Sequence, residues 1–354
     1  MTITAKELAK KLNLSESAVS LALNNKPGVS TQTRKRVQEA AETLGYDFSR
    51  IRMTYAPAAP NGSIYFVIYR KNGAVVTDTP FFSQLSEGID AGCKKYHYYL
   101  NINYLYEGSN IEKQLTDWQC AGTKGIILLG TEMTIHDLTP FIHAEQPESR
   151  PQYTAAQNMK NKLPLVLLDN YFEDLNLNSV LINNIQGAYS AASYLIHKYR
   201  TQPGYLRSSY PISNFDERAD GFYKAIRKCG MSPSRSIVHM LTPSMEGAYS
   251  DMLELIHSGE PLAECYFADN DLIAAGAMRA FRESGLRIPK DVAVIGFDDM
   301  PFCTYIEPAL TTIHVPKQYM GTVAVRRLHE LIEESDAKPY KIEISTSLIK
   351  RKSA

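Results

Sequence analysis

The chain has 354 residues, room for two domains of ordinary size or three small ones, and its 38 Lys and Arg are balanced by 38 Asp and Glu, which excludes the uniformly basic surface of a histone-like or ribosomal protein. A 44% hydrophobic content and a mean hydropathy of −0.26 are those of a folded globular chain. No apolar run approaches the roughly eighteen residues of a membrane span, and residues 1–7 lack the apolar stretch of a secretory signal, so the chain is expected to stay in the cytoplasm without membrane contact. Five scattered cysteines without a C-x-x-C pair argue against a disulfide framework or a zinc site.

The charge is not evenly spread. Residues 1–60 hold nine cations (Lys6, Lys10, Lys11, Lys26, Arg34, Lys35, Arg36, Arg50, Arg52) against five carboxylates (Glu7, Glu16, Glu39, Glu42, Asp47), a net +4 that leaves −4 for the remainder. A basic head on an acidic body fits a head that meets a polyanion. The same segment is punctuated as three short helices. Thr4 and Glu7 form a capping box with Ile3 and Leu8 as its staple, predicting a helix from about Ala5 to Leu12. Asn13 permits a tight turn, and Ser15 caps a second helix with Ala18, Val19, Ala22 and Leu23 inward, broken by residues 24–28. Ser30 caps a third, whose Val37, Ala41 and Leu44 share a face and which stops at Gly45. Any small three-helix bundle shares this pattern, but the tight turn between the first two helices is also that of a helix-turn-helix.

The run from Ile3 to Asn25, followed by Val29-Ser30, Thr33-Arg34, Val37 and Leu44-Gly45-Tyr46, resembles the N-terminal headpiece of the lactose-repressor/galactose-repressor (LacI/GalR) family of bacterial regulators. The resemblance implies that the second helix enters the major groove of a double-stranded DNA operator, with Glu16, Ser17, Ser20 and Leu21 at base-reading positions. Glutamate accepts from cytosine N4, serine bonds either base type, and Leu21 meets a thymine methyl. Many relatives carry arginine where Leu21 stands, so the operator need not resemble theirs. Thr4, Ser15, Ser30, Thr33 and Arg34 fall where phosphate contacts are expected, positions that fix register without reading sequence; for Ser15 and Ser30 plain helix capping is the alternative, and the two roles coexist. The family's hinge helix, which wedges a leucine into the minor groove, corresponds to residues 47–60, but the usual Pro-Asn opening is missing and Tyr55 lies near the leucine position. Ile51, Met53 and Tyr55 are alternative wedges, Arg50 and Arg52 keep the positive charge, and Pro57 and Pro60 read as linker.

From Ser63 onward short apolar runs alternate with helix-length amphipathic stretches: 64–69, 98–105, 124–130, 163–169 and 180–183, then 203–207, 237–241, 263–268 and 292–297. This predicts an α/β fold with parallel sheets and helices on both faces, in two similar lobes. The segments 293–299, 308–314, 270–276 and 218–222 again resemble the same family, whose effector domain is type I periplasmic-binding-protein-like. The expected organisation is a helix-turn-helix domain over 1–47, a hinge over 48–62 and an effector and dimerisation domain over 63–354, with lobe 1 at 63–181 and 309–337 and lobe 2 at 182–308 and 338–354.

Ligands of open parallel sheets sit beyond the carboxyl ends of strands, which places an effector in the cleft between lobes. Asp169, Asn270 and Asp298 fall at such ends, and Phe81 and Phe82 lie just after the first strand. By resemblance, Arg218 clamps effector oxygens with its bidentate fork. The ordinary readings stand beside these: Asp169 as a turn or cap residue, Arg218 as a surface partner of Asp216 or Asp220, and one of Phe81 and Phe82 as core, because adjacent residues at a helix start point apart. Carboxylate, amide and guanidinium among aromatic walls suit a sugar or sugar derivative. Residues 131–162 are longer than in relatives and read as a surface insertion rather than a flap.

No phosphate-loop, zinc-protease, nucleophile-elbow or dinucleotide fingerprint occurs, so neither enzyme activity nor a cofactor or metal is expected. The reading is a homodimeric regulator, a repressor, that binds a near-palindromic operator under control of a small-molecule effector. Its rivals are a regulator of the same build controlled by a partner protein or by none, an enzyme fused to a DNA-binding head, and an exported solute-binding protein.

Overall fold

A computed structural model describes residues 3–23, 29–44, 46, 61–71, 75–76, 80–142, 163–334 and 336–354. The chain divides into two compact units, residues 1–60 and 61–354.

In the first unit α1 (Ala5–Leu12), α2 (Glu16–Leu23) and α3 (Thr31–Thr43) enclose a core of Leu8, Ala9, Val19, Ala22, Leu23, Val37 and Ala41. The capping box forms: Thr4 Oγ1 accepts from the Glu7 amide at 3.3 Å, and the Glu7 carboxylate accepts from the Thr4 amide at 2.8 Å. Asn13 takes the left-handed conformation, φ 53°, that closes α1 and turns the chain into α2. Ser15 Oγ accepts from the Ala18 amide and Ser30 Oγ from the Thr33 amide, each at 3.1 Å. Ala18, expected inside, is only half-buried. The break at 24–28, Gly45 and the whole segment 47–60, with Arg50, Arg52 and the candidate wedges, lie outside the described residues.

The second unit holds two six-stranded sheets. The first contains β1 (Ser63–Arg70), β2 (Tyr99–Tyr106), β3 (Thr123–Leu129), β4 (Leu165–Leu168), β5 (Ser179–Ile182) and β11 (Lys341–Ile344), in the order β11-β5-β4-β3-β1-β2, all parallel. The second contains β6 (Gly204–Ser208), β7 (Val238–Leu241), β8 (Cys265–Ala268), β9 (Ala293–Asp298), β10 (Thr311–His314) and β12 (Ser347–Ile349), in the order β12-β10-β9-β8-β6-β7. Only β12 runs antiparallel to its neighbour. Each lobe repeats one winding, in which the third strand returns beside the first on the side away from the second. The two strand-order reversals, between β1 and β3 and between β6 and β8, create a crevice at the carboxyl edge of each sheet.

Helices cover the sheets: α4 (Pro80–Lys95), α5 (Ile111–Cys120) and α6 (Ile135–Ile142) in the first lobe, and α7 (Asn184–Tyr199), α8 (Ser213–Lys228), α9 (Met245–His257) and α10 (Asp271–Glu283) in the second. The last helix, α11 (Lys317–Glu333), packs back on α4 of the first lobe. Their backbones meet where Gly88 faces the Gln318 carbonyl and Gly321 faces that of Leu85; a Cβ at either would collide with main chain.

The lobe boundaries differ from those expected at the C-terminal crossings. The segment 309–337 splits: β10 pairs with β9 in the second lobe, whereas α11 belongs to the first. The segment 338–354 splits as well: β11 pairs with β5 in the first lobe, and two residues later β12 pairs with β10 in the second. Burial explains β10, whose Thr311, Thr312 and Ile313 are covered on both faces, a β-branched run that fits only an interior strand. Among the described residues no helix is long and apolar enough to cross a membrane.

Candidate functional site: a cleft between lobes and an exposed helix

All six side chains singled out in the body, Phe81, Phe82, Asp169, Arg218, Asn270 and Asp298, line one cavity between the two sheets. The first lobe supplies Phe81 and Phe82 from the opening turn of α4 and Asp169 from the end of β4. The second lobe supplies Arg218 from α8, Asn270 from the cap of α10 and Asp298 from the end of β9. Both phenylalanines reach the cavity, where a single one was expected: their rings sit edge-to-face with centroids 5.0 Å apart, which the open end of a helix allows.

Arg218 is 3% exposed and is no surface ion-pair residue; Asp216 pairs instead with Arg207, at 2.7 Å. Its Nε donates to Asn184 Oδ1 at 2.9 Å, one terminal nitrogen donates to the Asp269 carbonyl, and the other lies 3.3 Å from Asp298 Oδ1. The guanidinium plane rests 3.8 Å from the Phe297 ring centroid, a cation–π contact that fixes the fork. Asn270 is both a cap and a wall: its Oδ1 accepts from the Ile273 amide at 2.9 Å while the residue faces the cavity. Asp169 is no helix cap. It follows β4 at φ 63°, Oδ2 accepts from the Thr131 hydroxyl at 2.7 Å, and the Asn214 side chain also hydrogen-bonds the carboxyl.

Burial sets the electrostatics. Desolvation lifts the Asp169 carboxyl to about 6, against the pull of the Thr131 hydroxyl and the Arg218 charge. Asp269, buried with the Tyr205 hydroxyl and the Ser208 amide on its oxygens, also rises to about 6. Desolvation, with the Asp298 charge adding to it, lifts Asp271 to about 7, although Thr312, the Met300 amide and Cys303 all donate to it. Asp298 itself is raised, chiefly by desolvation, and Lys317, buried at the crossing from β10 to α11, is lowered for the same reason.

Sequence reasoning missed Thr131, Asn214, Phe215 and Val75, which also line the cavity. Asn214 and Phe215 carry a readable signal, since they stand four and three residues before Arg218 on one face of a helix. Val75 does not. It is held by Glu132, a 4% exposed carboxylate that accepts from the backbone amides of Lys71, Val75 and Val76 at 2.8–3.0 Å. A larger groove, about 780 Å³, lies on the far side of α4 among Arg70, Phe82, Ile102 and Tyr104. It takes its lining from one lobe only and shares Phe82 with the cleft.

In the head, Glu16, Ser17 and Ser20 are exposed along α2 with Leu21 half-buried beside them, while Val19, Ala22 and Leu23 face the core. Lys6 of α1 stands 3.9 Å from Glu16. Thr4, Ser15 and Ser30 are bound to their own helix starts, so their capping roles are realised. Thr33 and Arg34 lie half-buried in the first turn of α3.

A helix-turn-helix head and a two-lobed clamp define a DNA-binding transcriptional regulator, and comparison with known proteins gives the same class. Residues 4–48 match the model for bacterial regulatory proteins of the lacI family, and residues 192–354 match that for a periplasmic binding protein-like domain. The HTH-type transcriptional regulator GalS of Salmonella typhimurium is 29% identical over 91% of this chain and 88% of its own length. Among solved structures, a transcriptional regulator CelR–cellobiose complex superposes with a TM-score of 0.69 at 22% identity, covering 99% of this chain and 100% of its own. The lac repressor dimer bound to operator and an anti-inducer gives 0.66 at 21%, covering 100% and 99%. The head thus matches the LacI family, and the relatives that match the chain along its length are regulators of transcription.

Proposed function

We propose that this chain is a cytoplasmic repressor that binds a near-palindromic duplex operator as a homodimer, and that a small polar molecule, a sugar or sugar derivative, taken up between its lobes changes that affinity. The observation that carries the reading is the convergence of three residues from each lobe on one cavity at the strand-order reversals of both sheets. Aromatic walls with a few convergent polar groups are the composition of a small-molecule site, and the cellobiose-bound structural neighbour supports a sugar.

The cavity encloses only about 50 Å³, too little for a sugar ring, so the lobes part to load it and close on what they hold. Closure brings Phe81, Phe82 and Asp169 against Arg218, Asn270 and Asp298. A ligand that binds one lobe arrangement more tightly than the other shifts the population toward it, and only that difference in affinity transmits a signal. On the DNA side, Glu16, Ser17, Ser20 and Leu21 offer an acceptor, two hydroxyls and an apolar tip to base edges in the major groove.

Dimerisation follows from the task, since one head covers a half-site and two gain both affinity and a palindrome. The edge strand β2 supplies a fitting face, with Ile102, Tyr104 and Tyr106 between 43% and 53% exposed. The test is a footprint of the full chain on duplex DNA flanking its own gene. Protection of two half-sites about one helical turn apart is the expected result; binding no tighter than to random duplex contradicts the reading.

A further inference from the structure

The helix proposed to read bases carries no cation. Along α2, Glu16, Ser17 and Ser20 are exposed and Leu21 is half-buried, so the element offered to a polyanion bears one carboxylate and nothing positive. The commonest specific contact in the major groove, Arg or Lys on guanine, has no donor on it. The cation that meets this helix comes from α1: Lys6 Nζ lies 3.9 Å from Glu16 Oε1, with the two side chains 82% and 65% exposed. An exposed pair of that length contributes little to stability. The dipole at the start of α2 accounts for an acid at position 16, but not for a lysine brought beside it from another helix. Other cations of the head are turned to their own helices: Arg36 donates to the Leu12 carbonyl at 3.4 Å, closing the end of α1, and Lys35 pairs with Glu39 one turn along α3.

We propose that Lys6 is a specificity-determining residue of the head, and that it acts with Glu16 on one C·G base pair in each half-site: the Glu16 carboxylate accepts from cytosine N4, and the Lys6 ammonium donates to O6 and N7 of the guanine paired with that cytosine. The inference rests on the reading of α2 as the helix in the major groove and extends that reading to α1. A C·G pair presents a donor and then two acceptors in a row on its major-groove edge, and cytosine N4 and guanine O6 lie about 2.9 Å apart because they are bonded to each other. A carboxylate and an ammonium 3.9 Å apart match that order and nearly that spacing. An A·T pair places its single donor between acceptors on opposite sides, so an ammonium beside Glu16 would meet one acceptor there instead of two. Docking strips water from Glu16 and brings its charge toward phosphates of like sign; Lys6 offsets that repulsion while adding a contact of its own.

The experiment selects duplexes from a random pool with the full chain, then measures affinity for the selected site with each base pair substituted in turn, for wild type, Lys6→Ala and Glu16→Gln. Both side chains are exposed, and circular dichroism of the head's thermal transition checks that each variant folds. The expected result is a wild-type preference for C·G at one position of each half-site. Lys6→Ala should lower that preference by about tenfold and leave the other positions unchanged, and Glu16→Gln should alter the same position, toward A·T, because a glutamine side chain matches adenine. First helices of such heads cross the DNA backbone, so the rival role for Lys6 is a phosphate contact. Lys6→Ala would then weaken every duplex equally and make the salt dependence shallower, which would overturn the proposal and leave the operator reading intact. An unchanged profile for Lys6→Ala, or changes at different positions in the two variants, would overturn it as well. A wild type that selects nothing over random duplex would bring down the operator reading and the proposal together.

Discussion

In the head, Glu16, Ser17 and Ser20 stand in solvent on a helix of eight residues backed by a core of seven small or medium side chains. In the body, Asp169 and Arg218 are each 3% exposed and Asn270 6%, wedged between two six-stranded sheets. Polar residues in the first region keep their hydration until a partner removes it, so long-range charge governs their binding. Those in the second are already desolvated, so their worth depends on whether each donor and acceptor is matched. Opposite responses to mutation, salt and pH follow for two regions of one chain.

The largest effect is expected at Arg218. Arg218→Ala removes the fork and leaves Asp298 and the Asp269 carbonyl buried without it, a change that typically costs about 3–5 kcal/mol. Thermal unfolding should show the loss in the body, with the head's affinity for DNA in the unliganded protein nearly intact. A variant as stable as wild type would mean that the cleft is hydrated and behaves like the head.

Salt separates the regions next. Operator affinity should fall by about tenfold or more between 50 and 200 mM salt, because phosphate contacts release counterions, whereas ligand binding in the cleft should stay nearly flat over the same range. Equal slopes in the two titrations would erase the distinction.

A smaller effect belongs to the head's capping box. Thr4→Ala removes the acceptor for the Glu7 amide and should cost about 1 kcal/mol of helix stability. Circular dichroism should place that loss in the head's transition and leave the body's unchanged.

The pH response should differ in sign. Asp169, Asp269 and Asp271 titrate at about 6, 6 and 7 in the folded body, above their ordinary 3.8, so the folded state binds more protons and body stability falls as pH rises from 4 through 7. Glu7 is held below its ordinary 4.5 by the Thr4 amide and hydroxyl, so its contribution to the head is present at neutral pH and is lost as pH falls below that value. Differential scanning calorimetry between pH 4 and pH 8 should therefore move the body's midpoint up on mild acidification. A body transition that is most stable at pH 8 would contradict the upward shift that burial gives these carboxylates.

The cleft was legible in sequence because its residues stand at strand ends and helix starts, where Asp169, Asn270 and Asp298 interrupt apolar runs that a parallel sheet requires. What escaped lacks such a marker. Val75 lines the cavity only because Glu132, distant in sequence, gathers three backbone amides. The swap of β11 and β12 between lobes escaped too: strands of four and three residues, only partly covered, show neither a continuous apolar run nor a turn signal between them. Phe81 and Phe82 were divided between core and site on the logic of a regular helix, which the first turn of α4 does not obey. In the head, caps and inward faces were readable to the residue, since short helices depend on them.

The central claim, that occupancy of the buried site in the body changes what the exposed head binds, is tested most directly by fluorescence anisotropy. The full chain is titrated onto a labelled duplex from the region flanking its own gene, with and without a polar metabolite extract of cells that carry the gene. The account predicts a shift in apparent Kd of about fivefold or more for wild type and none for Arg218→Ala. An unchanged Kd for wild type, or an equal shift in the variant, would contradict it.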